Sequence, residues 1–168
     1  MRRKVRNGFS LLELLVVVGI IAILATIAIF NFMGALNRGK QKRTMADMRN
    51  IAAAWEARAG DTRSYSAAGF SFPSVGVTYP ALAAVLTPTY VRSLPQTDGW
   101  LRPFTFGTDA PLGGAAGQAT TYGIRSAGRD GGYSGNTYVA GPTSDSDCDI
   151  VYSNGVFVAY PEGVQGKD

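Results

Sequence analysis

The stretch Asn7-Gly8-Phe9-Ser10-Leu11-Leu12-Glu13 decides how this chain is read, because an unbroken apolar run starts inside it. From Leu14 to Phe30 the only mildly polar member is Thr26, and extending the run to Phe9 and Phe32 gives 24 residues with one charge, Glu13. As a helix that run is roughly 36 Å long, enough to cross a bilayer core. A cleaved secretory signal would place an A-x-A site after the run; none is there, and the helical pattern continues well beyond it. The segment therefore reads as a membrane-spanning helix that belongs to the working protein.

Glu13 is the informative residue. A carboxylate near the centre of a bilayer costs about 2.5–3.5 kcal/mol on a lone helix, and less toward one end. No basic residue stands three or four positions further on, so a pair within the helix is unavailable. Its partner is expected from another chain, or from a charge made by processing.

Outward from this segment, charge is partitioned sharply. Arg2, Arg3, Lys4 and Arg6 fall in the first eight residues, which hold no acid. Taking those four from the sixteen basic residues leaves twelve, against twelve acidic ones. A neutral body argues against a surface that tracks phosphates, so no nucleic-acid partner is expected. There is no histidine, which removes the commonest general base and metal ligand. The single cysteine, Cys148, excludes an internal disulfide and a cysteine-based zinc site. No G-x-S-x-G or comparable nucleophile motif occurs, and the chain is not expected to be an enzyme.

Beyond Asn37 the apolar positions thin out to Met45, Met48, Ile51 and Trp55, with Ala52 and Ala59 beside them. These spacings put them on one helical face, leaving Arg43, Asp47, Arg49, Asn50 and Glu56 largely elsewhere. One long helix is predicted, apolar over residues 9–32 and amphipathic over 33–59, its second half packing on a head formed by residues 60–168. Gly34 and Gly39 are weak points in it. Seventeen of the 21 glycines fall from Gly60 onward, which marks the change to a loop-rich head. Residues 60–79 read as a surface loop, and Pro80 to Leu86 as a short helix with proline at its start. Strands are predicted at 104–106, 120–125, 149–153 and 156–160, the last two joined by the hairpin signal Asn154-Gly155. The fold class is α+β: a long amino-terminal helix packed on a small antiparallel sheet of three or four strands.

The opening stretch resembles the processing site of type IV pilins and of the pseudopilins of type II secretion. The resemblance implies that a prepilin peptidase cuts after Gly8, removing residues 1–8 as a basic leader, and that Phe9 becomes the N-methylated first residue. It implies that Glu13, then in fifth place, meets the Phe9 ammonium of a neighbouring subunit during assembly. Many members of the superfamily carry a proline near the end of the apolar run; here Phe30 stands in that neighbourhood. Arg38, Lys40, Lys42 and Arg43 match the leader's charges in number, so charge alone does not orient the helix. The resemblance places the leader in the cytoplasm and the head in the periplasm, on a single-pass inner-membrane precursor.

Two segments of the head are similar to the major pseudopilin of type II secretion. In Leu94-Pro95-Gln96-Thr97-Asp98-Gly99-Trp100-Leu101-Arg102-Pro103-Phe104, residues Asp98, Trp100 and Pro103 match; Gly99 stands for a proline and Leu101 for a glycine. This reads as a turn leading into a strand, with Trp100 buried. Tyr122-Gly123-Ile124-Arg125-Ser126-Ala127-Gly128-Arg129-Asp130-Gly131-Gly132 and Asp147-Cys148-Asp149-Ile150 resemble the two segments that enclose a calcium ion in that family. The resemblance implies Ca2+ with Asp130 and Asp147 as first ligands, Asp145 or Asp149 next, and the Ala127 carbonyl as a main-chain ligand. Calcium suits a glycine-rich loop, since it takes six to eight oxygens in flexible geometry. Asp145, Asp147 and Asp149 alternate, so in extended chain all three would point to one side. The loop between the two segments, which includes residues 133–142, is longer than the family pattern.

The function implied is a structural subunit: the major pseudopilin of a type II secretion system, assembling into a periplasmic pseudopilus for protein export. The alternative is the pilin of a surface type IV pilus, with the filament outside the cell. The partners implied are copies of the chain in a homopolymeric filament, minor pseudopilins, the prepilin peptidase, the inner-membrane assembly platform, and membrane lipid before assembly.

Overall fold

Buried positions at Gln41, Thr44, Met48, Ile51, Ala52, Trp55 and Ala59 follow the three-and-four spacing of one helical face. They lie on α1 (Leu11–Thr62), which is continuous through Gly34, Gly39 and Phe30. The structure is a computed structural model, and it describes residues 9–62, 73, 75–109 and 119–166. The leader therefore lies outside the described residues, as does most of the loop expected over 60–79.

The chain divides into two compact units, residues 1–36 and 37–168. In the first, the side chains of α1 are exposed, among them Leu11, Leu15, Ile23 and Phe30. Among the described residues α1 is the one helix long and apolar enough to cross a membrane.

In the second unit, the later part of α1 packs on a sheet. The remaining elements in chain order are β1 (Val75–Val77), α2 (Tyr79–Leu86), β2 (Thr105–Thr108), β3 (Tyr122–Ser126), β4 (Gly141–Asp145), β5 (Ile150–Ser153) and β6 (Val156–Gly166). The sheet order is β1-β2-β3-β5-β6-β4, antiparallel throughout except for the β4–β6 pair. Six strands form where three or four were expected. The additional ones, β1 and β4, are the two edges, and neither shows apolar alternation.

Met48, Ile51 and Trp55 on α1 meet Leu82 and Leu86 on α2, and Phe106, Tyr122, Ile124, Ile150 and Tyr152 on the sheet. The Trp55 ring lies 4.8 Å from that of Tyr122 and 6.4 Å from that of Phe106. The period of two places Val151 on the opposite face of the sheet, where it packs with Tyr138 and Val158. Burying these aromatic and aliphatic groups contributes about 1.5–3 kcal/mol each, and so fixes the sheet on the helix. The predicted hairpin is present: Asn154 at φ 42° and Gly155 at φ 90° link Ser153 to its partner Val156.

Candidate functional site

The first turn of α1 is built by its own side chains. Leu12 N donates to Ser10 Oγ at 3.3 Å, and Ser10 N donates to Glu13 Oε2 at 3.5 Å. This reciprocal arrangement is a capping box, encoded by the Ser-x-x-Glu spacing of Ser10 and Glu13. It gives the Glu13 carboxylate a local partner that a search for basic residues overlooks. Phe9 and Glu13 line one groove with Leu14 and Val17. Phe9 is 80% exposed. A negative side chain is thus held beside the residue expected to become an amino terminus. Gly8, the expected residue before the cut, lies outside the described residues.

The second site begins with the turn at 97–103. Asp98 is fully buried. Its Oδ1 accepts hydrogen bonds from Trp100 N at 2.8 Å and Arg102 N at 2.9 Å, and its Oδ2 accepts from Ser126 Oγ at 2.6 Å. Ser126 Oγ in turn accepts from Gly128 N, and Arg102 Nη1 donates to the Gly128 carbonyl at 3.3 Å. The turn therefore buttresses the loop that follows β3. Trp100 itself is half-buried against the core rather than fully covered. Gly99 packs against α1: a Cβ there would stand 2.4 Å from the Lys40 carbonyl oxygen. Gly99 N also donates to the buried Thr44 Oγ1 at 2.9 Å. A proline, lacking that N–H, has no place in this contact.

Around Gly128 the two segments expected to hold calcium touch through their backbones. Gly128 has φ 60°, and a Cβ on it would meet the Cys148 carbonyl oxygen at 2.5 Å. Arg129, next in the chain, directs Nε to Asp147 Oδ1 at 2.6 Å. The chain does not stay extended from Asp145 to Asp149. It turns at Ser146–Asp147, where Asp147 N donates to Asp145 Oδ1 at 2.9 Å, so the three carboxylates part company. Asp145 is exposed, Asp147 half-buried and Asp149 buried.

Asp149 Oδ2 accepts from Ser134 N at 2.8 Å, while Asp149 Oδ1 is buried without a hydrogen-bond partner. Burial pushes the Asp149 carboxyl above its ordinary value against the Ser134 N–H, and the nearby charge of Asp130 adds to the rise. Asp130 is exposed, its Oδ1 accepting from Gly132 N at 3.2 Å, and the Ala127 carbonyl accepts from Gly131 N at 3.1 Å. Burial also pushes the Cys148 thiol up to about 12, with Asp145 and Asp149 adding to it. The long loop after Asp130 is tied down by Arg125. Its Nη1 donates to the Gly135 carbonyl at 3.1 Å and to Asn136 Oδ1 at 2.9 Å, and its guanidinium lies 4.0 Å from the centre of the Tyr133 ring.

In kind, these oxygens fit calcium: carboxylates and a carbonyl on a glycine-rich loop, one carboxylate oxygen buried and unpaired. In place, they fit it only when Asp147 leaves Arg129. Among the described residues no three acidic, cysteine or histidine side chains converge into a metal cluster. Sequence reasoning missed Arg129, Ser134 and the buttress from Asp98 through Ser126. Their partners lie 15 to 28 residues away, beyond the reach of any local pattern.

Comparison with known proteins adds to this geometry. A family profile described as the prokaryotic N-terminal methylation motif matches residues 3–29. The chain is 30% identical over 162 residues to the type II secretion system core protein G of Pseudomonas aeruginosa, covering 89% of this chain and 96% of that one. It is 29% identical over 136 residues to the protein of the same name from Klebsiella michiganensis, covering 78% of this chain and 89% of that one. No solved structure gives a significant match. With its methylation motif and a relative matched along nearly its whole length, the chain belongs to the type II secretion system core protein G family, the major pseudopilins.

Proposed function

We propose that the chain is cut between Gly8 and Phe9, is N-methylated at Phe9, and polymerises through residues 9–32 into the pseudopilus of a type II secretion system. The observation that carries this is Glu13, the single charge in an otherwise apolar helix face, held in one groove with Phe9. A carboxylate in lipid needs a counter-charge. The ammonium created on Phe9 of an adjoining subunit supplies one, and the capping box holds Glu13 until that partner arrives. The head then stands in the periplasm and the precursor in the inner membrane, with the prepilin peptidase, the assembly platform and minor pseudopilins as partners. The role is structural, with no reaction assigned to the head.

Mass spectrometry of the chain recovered from cells tests the processing: an N-methylated Phe9 terminus is expected, and an intact Met1 terminus would sink the reading. Glu13→Val should leave processed protein in the membrane while abolishing filaments in electron micrographs; normal filaments would remove the assembly role.

Calcium belongs to the same proposal. Asp130, Asp149 and the Ala127 carbonyl would hold it, with Asp147 joining once released from Arg129 and Asp145 adding charge at the rim. The ion would supply a divalent charge that ties the two loop segments together. The support is the unpaired buried oxygen of Asp149 together with the oxygen-rich loop around it.

A further inference from the structure

Between Ser126 and Ile150 the chain carries four carboxylates, Asp130, Asp145, Asp147 and Asp149, and one cation, Arg129. That cation sits at the point of closest approach between the two segments. Gly128 and Cys148 pack backbone to backbone, and the residues beside them, Arg129 and Asp147, close a contact of 2.6 Å. The Asp147 side chain is only 15% exposed and that of Arg129 37%. A pair this dry is screened less than one at the open surface. The guanidinium is also favoured by more than its direct partner: the hydrogen bond to Asp147 comes first, and the charges of Asp147, Asp145 and Asp130 add to it. Asp149 completes the set, buried with one oxygen unpaired. The loop thus has a negative interior, and its one cation occupies a carboxylate that a metal would need.

We propose that Arg129 is a built-in counter-ion of this loop: it closes the loop on Asp147 without metal, and calcium binds only by displacing it. The physical reason is exclusion. Asp147 Oδ1 cannot serve a guanidinium at 2.6 Å and a divalent ion together, because the two cations would repel each other across one oxygen. The loop then exists in two closed forms, one held by arginine and one held by calcium, and the arginine form sets the calcium concentration at which the exchange occurs. Arg129 here is a positioning residue, acting on the metal site through Asp147. The inference rests on the calcium reading above, and the test separates the two.

The full chain in detergent would be titrated with CaCl2 after EDTA treatment, reading melting temperature and the heat of binding, for the natural protein, Arg129→Gln and Arg129→Lys. Without calcium, Arg129→Gln should melt lower than the natural protein, because four carboxylates then face one another uncompensated. It should bind calcium more tightly by roughly fivefold, the worth of one ion pair of this kind, and calcium should restore its melting temperature. Arg129→Lys keeps the charge but not the fixed fork, and should fall between the two. If Arg129→Gln does not fold, the same comparison is made with Arg129→Lys. Equal calcium affinity in the natural protein and the variant would overturn the inference and leave the calcium site standing. Calcium binding in neither would remove both. An unchanged melting temperature of Arg129→Gln in EDTA would show that Arg129 does not close the loop.

Discussion

Leu101 sits at φ 65°, in the left-handed region that side chains with a Cβ rarely adopt, and its own side chain is 75% exposed. It thus bears a backbone cost without a packing gain. The position is the one where the resembled segment carries glycine, and the angle supplies the reason. Leu101→Gly should therefore stabilise the chain by about 1 kcal/mol, the left-handed cost less the added freedom of the unfolded glycine. A thermal melt in detergent reads this directly, and a lowered melting temperature would show that Leu101 is held by something other than its backbone. The same scale explains two residues of the assembly segment. Ser10 and Glu13 were legible as a capping box from spacing alone, and Glu13 was legible as a functional charge from its apolar surroundings. Arg129 was not legible, because its partner Asp147 lies 18 residues on and only the folded loop brings them together.

Between elements, the contact that sets the head on α1 is Gly99 against Lys40. Thr44 Oγ1 donates to the Lys40 carbonyl at 2.9 Å and accepts from Gly99 N, so one buried hydroxyl links helix and turn. Gly99→Ala places a methyl group 2.4 Å from the Lys40 oxygen, a backbone atom that cannot swing aside. A loss of about 2 kcal/mol is expected, as for other over-packed contacts. Urea unfolding in detergent would measure it, and an unchanged midpoint would mean that the turn is free to move off the helix. Helix α2 and the strand pair around Asn154-Gly155 were readable because their signals are local: a proline at a helix start, and two adjacent residues suited to positive φ. Strand β4, Gly141-Pro142-Thr143-Ser144-Asp145, was not. It has no apolar alternation, and its parallel pairing with β6 reaches across the chain without a hairpin to announce it.

At the scale of the molecule, every member of the main core falls in the unit that starts at Asn37, from Met48 to Tyr152. The unit before it exposes its apolar side chains and contributes none to that core. A chain beginning at Asn37 should therefore keep its fold and dissolve without detergent, since what is removed is the surface that water rejects. Near-ultraviolet circular dichroism would report the retained packing of Trp55 on Tyr122, and loss of that signal would show that the apolar helix helps to hold the head. The acidic loop rides on the same unit, braced by Asp98 through Ser126 and by Arg125 through residues 133–136.

The sequence by itself determined the membrane-length helix, its one charge, the expected cut beside Phe9, the amphipathic continuation and the α+β class. Each of these depends on the identity of residues and on their spacing within a few turns, which the chain carries before it folds. Tertiary structure alone decided the six-strand order with its parallel edge, the glycine contact on Lys40, and the pairing of Arg129 with Asp147. Those depend on distances between residues far apart in the chain, and distance is what folding creates. The opening stretch told what the subunit is for; the folded loop told which cation already stands where calcium is expected.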